Sequence, residues 1–121
     1  MDLYREELLE HYKNPKNYGR LKDPTATTHE ANPLCGDVLD LDLKIEDGVV
    51  TDIAFEGSGC AISTAATSML LEKVKGMKVD DIKKISREEM LNMVNSNLTI
   101  SRIKCATLGY NALVKLLQGA L

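Results

Sequence analysis

Three cysteines and one carboxylate are the residues of this sequence whose types and placement could do chemistry. Cys35 and Asp37 share the stretch Asn32-Pro33-Leu34-Cys35-Gly36-Asp37, which reads as a loop, and Cys60 and Cys105 follow far downstream. Sulfur ligands select zinc, copper(I) or iron–sulfur chemistry over magnesium or calcium, and three cysteines plus one carboxylate can close a four-coordinate site. There is no CxxC pair, so ligand spacing alone names no metal. Free cysteines often serve as small apolar core fillers. Cys35 and Cys60 instead adjoin Gly36 and Gly59, which are poor core positions. A catalytic thiol needs a nearby base, and neither His11 nor His29 is close in sequence to a cysteine. His11 reads as a surface or packed residue of the first helix. His29 reaches the site only if residues 25–31 form a strand.

The elements that must position these groups follow from periodicity. Tyr4, Leu8, Leu9 and Tyr12 recur at helical spacing over residues 3–13, and Asn14-Pro15 should end that helix. Lys16 to Pro24 reads as a surface loop, and the threonine-rich residues 25–31 as an edge strand. Leu39, Leu41, Leu43 and Ile45 alternate with polar residues, as in a strand with one buried face, and Val49, Thr51, Ile53 and Phe55 form the matching face of a second strand. A three-residue turn, Glu46-Asp47-Gly48, brings those faces into agreement by pairing Ile45 with Val49, Leu43 with Thr51, Leu41 with Ile53 and Leu39 with Phe55. A two-residue Asp47-Gly48 turn would set Ile45 against Val50.

After Gly57-Ser58-Gly59, which is too short for a phosphate loop and instead frees the backbone beside Cys60, the period becomes helical. Ile62, Ala65, Ala66, Met69 and Leu70 define a helix from near Cys60 to Gly76. Cys60 then lies at a helix start, where unpaired N–H groups attract negative sulfur. Residues 78–95 hold one or two short helices with Ser86 as an N-cap. A last helix spans about Ser101 to Gln118, with Ala106, Tyr110, Leu113 and Leu117 on one face and Cys105 in its first turns beside Arg102 and Lys104. Strands first and helices after indicate an α+β layer in a single domain over 1–121.

Composition narrows the function. The chain has 121 residues, 44% hydrophobic and 27% charged, with net charge −3. That balance gives no strong pull toward nucleic acid or an anionic membrane. No apolar run suggests a signal or a membrane span, and an odd number of cysteines fits a disulfide framework poorly. A cytoplasmic, reducing setting is expected. The lysines at 73, 75 and 78 read as a solvated face.

Four segments together resemble the U-type iron–sulfur assembly proteins (IscU, SufU and the N-terminal domain of NifU). They are His11-Tyr12-Lys13-Asn14-Pro15-Lys16-Asn17-Tyr18-Gly19, Asn32 to Asp37, Gly59-Cys60-Ala61-Ile62-Ser63, and Arg102-Ile103-Lys104-Cys105-Ala106-Thr107-Leu108. The resemblance implies a small three-stranded antiparallel sheet packed against several helices. It implies Cys35, Asp37, Cys60 and Cys105 as ligands of a transient [2Fe–2S] cluster, or of Zn2+ or Fe2+, with Arg102 and Lys104 alongside. It further implies sulfur received as persulfide from a cysteine desulfurase and a cluster passed to recipient apoproteins, and it leaves room for a homodimer. A hard oxygen ligand such as Asp37 holds a cluster less firmly than a thiolate, which suits release.

The sequence departs from both branches of that family. Lys104 stands where IscU proteins have histidine, whereas Arg102 to Ala106 matches the SufU pattern. The interval from Cys60 to Cys105 looks too short for the SufU insertion, and the proline-containing chaperone-binding segment of IscU is missing from Asn95 to Ser101. The expected activity is a non-enzymatic scaffold. Its rival is a zinc-dependent sulfur acceptor in which Cys105 takes the persulfide.

Overall fold

The computed structural model describes residues 3–32, 36–94 and 100–119. Cys35 and residues 95–99 fall outside them, and the Arg102 side chain is not described. Helix α1 (Leu3–Lys13) leads into a three-stranded antiparallel sheet, β1 (Ala26–Asn32), β2 (Asp37–Glu46) and β3 (Val49–Ser58), in the order β1-β2-β3. Helices α2 (Ala61–Val74), α3 (Val79–Ile82), α4 (Arg87–Val94), α5 (Ile100–Ala106) and α6 (Leu108–Gly119) follow. The fold is α+β, with one helix before the sheet and five after it among the described residues.

One face of the sheet makes the core. Leu39, Leu41, Leu43, Ile53 and Phe55 are buried there with Leu70, Leu71, Val74, Leu113 and Leu117 of α2 and α6. The predicted stripe of α2 is buried at Ala65, Ala66, Met69 and Leu70, and Ser63, Thr67, Ser68, Leu71 and Val74 are buried too. A helix closed in on most sides is a central one, so α2 packs against α1, α4, α5, α6 and β3.

The β2–β3 register differs from the sequence expectation. The turn is the two-residue Asp47-Gly48 with φ of 52° and 76°, and Glu46 pairs with Val49 and Ile45 with Val50. Two left-handed residues give a turn whose twist matches that of the strands. A bulge then leaves Thr51 without an opposite residue, so that Leu43 faces Ile53, Leu41 faces Phe55 and Leu39 faces Gly57. The extra residue restores agreement between the apolar faces, which an unbulged ladder could reach only through a longer loop. Val50 is therefore buried and Thr51 exposed.

Two other expectations change. On α1, Leu9 and Tyr12 are exposed at 46% and 47%, and the inward positions are Leu8 and His11. His11 is held by Ser68, whose Oγ lies 2.7 Å from Nδ1 and also accepts the Lys16 N–H. The predicted 101–118 helix is divided at Thr107, whose hydroxyl donates to the carbonyls of Ile103 and Lys104. Such back-bonding bends helices. The α5–α6 face is otherwise as read, with Ala106, Leu113 and Leu117 buried and Tyr110 donating to the Ile85 carbonyl at 2.8 Å.

Candidate metal-binding site

Side chains alternate along a strand, so Asp37 lies on the same face of β2 as Leu39, Leu41 and Leu43. At the strand's first residue that face is no longer filled by apolar side chains, and Asp37 is buried at 4% exposure. Cys60 caps α2, placed by the exit of β3, and its Sγ accepts the Ser63 N–H at 3.4 Å. Its own N–H donates to Asp37 Oδ1 at 3.1 Å. Cys105, near the end of α5, is buried at 4% exposure, whereas Cys60 is exposed. One ligand atom from each of Asp37, Cys60 and Cys105 lies within 4.8 Å of the others.

This arrangement suits a metal. Zinc bonds of about 2.0–2.3 Å set tetrahedral donors roughly 3.7 Å apart, so the three atoms need to contract by about 1 Å at most. Asp37 Oδ2 is buried and has no hydrogen-bond partner among the described residues. A buried carboxylate oxygen is costly unless something completes it. Two sulfurs and a carboxylate oxygen form a donor set for zinc or iron–sulfur chemistry rather than for magnesium or calcium.

The glycines around the site have specific reasons. A Cβ at Gly59 would sit 3.3 Å from Asp37 Cγ and 3.2 Å from Ser63 Oγ, and one at Gly57 would collide with the Val38 carbonyl oxygen. Gly36 closes the β1–β2 connection with φ of 74° and an N–H donated to the Asn32 carbonyl at 2.8 Å. The bare backbone lets Cys60 and Asp37 approach each other.

Of the four sequence-predicted ligands, three converge, and the fourth, Cys35, lies outside the described residues. His29 does not join them although its strand forms. It is 61% exposed and binds Asp40 Oδ1 at 2.7 Å, three positions along β1 from Asn32. Lys104 is exposed and lines a groove with Glu30, Asn32, Arg87 and Asn111.

A second buried carboxylate went unrecognised in the sequence, where Asp42 looked like one more outward polar residue of β2. It is 1% exposed. Arg20 donates to it through Nε at 2.8 Å and Nη2 at 3.0 Å, Leu21 N–H at 3.0 Å and Thr27 Oγ1 at 2.6 Å. Burial pushes its carboxyl up, but the hydrogen bonds from Arg20, Thr27 and Leu21 together hold it below the ordinary range. The same hydrogen bond to Asp42 holds the Arg20 guanidinium above its own usual value. The available signal was an aspartate in the middle of a strand, which β-propensity disfavours unless it has a partner.

The family described as "NifU-like N terminal domain" matches residues 3–118. The chain is 35% identical over 130 residues to the Bacillus subtilis "Zinc-dependent sulfurtransferase SufU", covering 93% of this chain and 88% of that one. It is 36% identical over 132 residues to the Thermotoga maritima "Iron-sulfur cluster assembly scaffold protein IscU", covering 96% and 93%. The crystal structure of a NifU-like N-terminal protein from Brucella abortus superposes with a TM-score of 0.78 at 23% identity, covering 98% of this chain and 94% of that one. This last likeness is one of fold.

Proposed function

Because this chain belongs to the NifU-like N-terminal domain family, we propose that it is a scaffold of iron–sulfur cluster assembly, with Cys35, Asp37, Cys60 and Cys105 holding the nascent cluster. The observation that carries this reading is that a carboxylate oxygen of Asp37 and the sulfurs of Cys60 and Cys105 lie within 4.8 Å of one another, on a buried carboxylate whose Oδ2 has no hydrogen-bond partner among the described residues. A [2Fe–2S] cluster is then cargo: sulfur arrives from a cysteine desulfurase, and the finished cluster leaves for recipient apoproteins. The chain supplies thiolate ligands, a carboxylate steadied on one oxygen by the Cys60 N–H, and the N–H donor of Ser63 toward Cys60 sulfur. Among the described residues no helix is long and apolar enough to cross a membrane.

A second reading, zinc-dependent persulfide acceptance, is favoured by the Bacillus subtilis relative and by Lys104 before Cys105. Alignment length leans toward the first. The SufU-named relative aligns over 130 residues against the 121 of this chain and so has residues that this chain lacks, as does the Thermotoga maritima one. IscU-named relatives of Archaeoglobus fulgidus and Aquifex aeolicus, by contrast, align over 111 and 112. In the second reading the Cys105 thiolate attacks the outer sulfur of a donor persulfide, the donor's thiolate leaves and no net oxidation occurs. With Cys105 at 4% exposure, the docked donor has to displace part of the surrounding wall.

Anaerobic reconstitution with iron and sulfide separates the readings. The scaffold should develop visible charge-transfer bands that weaken in Cys60→Ser. A purified protein holding about one zinc per chain, forming no cluster and gaining one sulfur's mass from desulfurase and cysteine, would favour the second.

A further inference from the structure

A groove of about 370 Å³ runs between β1, the start of α4 and the α5–α6 junction, lined by Glu30, Asn32, Arg87, Lys104, Thr107 and Asn111. Its own carboxylate is already engaged, since Glu30 meets Lys115 Nζ at 3.0 Å. Arg87 and Lys104 are exposed, and among the described residues neither forms an ion pair. Unpaired cations are common on this surface, Lys73 and Lys83 among them, but these two line one groove together and its one acidic lining residue is already engaged. Glu88 and Glu89 follow Arg87 in the first turn of α4 but do not line the groove.

We propose that this groove docks an acidic segment of a partner protein, with Arg87 and Lys104 each receiving a carboxylate. Guanidinium and ammonium groups with no ion-pair partner among the described residues are ready to donate hydrogen bonds to a carboxylate. The groove is open along its length, unlike the enclosed pockets that hold small molecules, which points to an extended peptide segment. The net charge of −3 gives an acidic ligand no long-range attraction, so binding has to come from these side chains. Asn32 is the strand partner of Asp37, and Lys104 directly precedes Cys105. A protein held there lies beside the thiol site. Its use in sulfur or cluster exchange rests on the reading above, whereas the docking does not.

The test is a titration of the 15N-labelled full chain, metal-free, with the peptide acetyl-Glu-Glu-Asp-Glu-Glu-amide at low salt. Saturable shifts should centre on Arg87, Lys104, Thr107 and Asn111, and the R87Q/K104Q double variant should bind about five-fold or more weakly, as expected for two exposed ion pairs. A K73Q/K75Q control should bind as the parent does. Unsaturable shifts, equal weakening in the control, or glutarate binding as tightly as the peptide would each overturn the proposal. A negative result here leaves cluster reconstitution untouched, and the reverse also holds.

Discussion

Strand β2 carries two buried aspartates that are partnered in opposite ways. Asp42, on the outer face, has both oxygens engaged by Arg20, Leu21 and Thr27. Asp37, on the core-side face at the strand's start, has one oxygen bonded to the Cys60 N–H and the other buried without a partner among the described residues. Burying a carboxylate costs several kcal/mol unless charge and hydrogen bonds offset it. At Asp42 the chain supplies the whole offset and the result is a clasp joining the 16–25 loop to the sheet. At Asp37 the offset is incomplete, and the shortfall sits next to two sulfurs. Burial by itself therefore does not separate a structural carboxylate from a ligand; the bookkeeping of its oxygens does.

The largest effect is expected at the clasp. Asp42→Ala removes the acceptor of four hydrogen bonds and should cost about 3 kcal/mol of folding stability, read from urea unfolding. A loss below about 1 kcal/mol would show that the network does not hold the loop. Its pH dependence has a definite sign. The folded carboxyl lies below its ordinary value of 3.8, so its stabilisation is complete above that value and fades as pH falls through the lower folded one. The stability gap between the parent and Asp42→Asn should hold steady above about pH 4 and narrow below it, and a gap that widened in acid would contradict the assignment.

Next comes the incomplete carboxylate. Asp37→Asn should weaken zinc binding roughly ten-fold or more in competition with a chromophoric chelator. The same change should leave metal-free stability equal or about 1 kcal/mol higher, because a buried charge is gone. If the metal-free variant instead lost more than about 2 kcal/mol, Asp37 would belong with Asp42 as a structural group and the contrast would collapse. The smallest change is Thr27→Val, which removes one donor from the clasp and should cost about 1 kcal/mol with no effect on metal binding. Altered zinc affinity in that variant would mean that the middle of β2 and its first residue are coupled.

Much of this was legible beforehand. The strands around Leu41 and Ile53, the helix opening at Cys60 and the Ser86 cap follow from local pattern, and residue type made Asp37, Cys60 and Cys105 candidate ligands. The Ser86 hydroxyl indeed accepts the Glu89 N–H at 3.1 Å. What escaped was non-local. The bulge at Thr51 depends on how a tight turn and two apolar faces are reconciled at once, and periodicity within one strand does not reveal it. The inward turn of His11, with Leu9 and Tyr12 left exposed, depends on Ser68 reaching across from α2. The Arg20–Asp42 clasp joins residues whose meeting requires the loop to fold back over the sheet.

The sequence by itself determined the chemical repertoire: soft sulfur donors, a hard oxygen donor, and the α+β order of elements that carries them. These are properties of residue type and of spacing along the chain. Tertiary structure alone decided which donors meet and how completely each is satisfied. Convergence of Asp37, Cys60 and Cys105 needs the start of β2, the cap of α2 and the end of α5 to come to one point. Only the packing of the sheet against its helices fixes those three ends relative to one another.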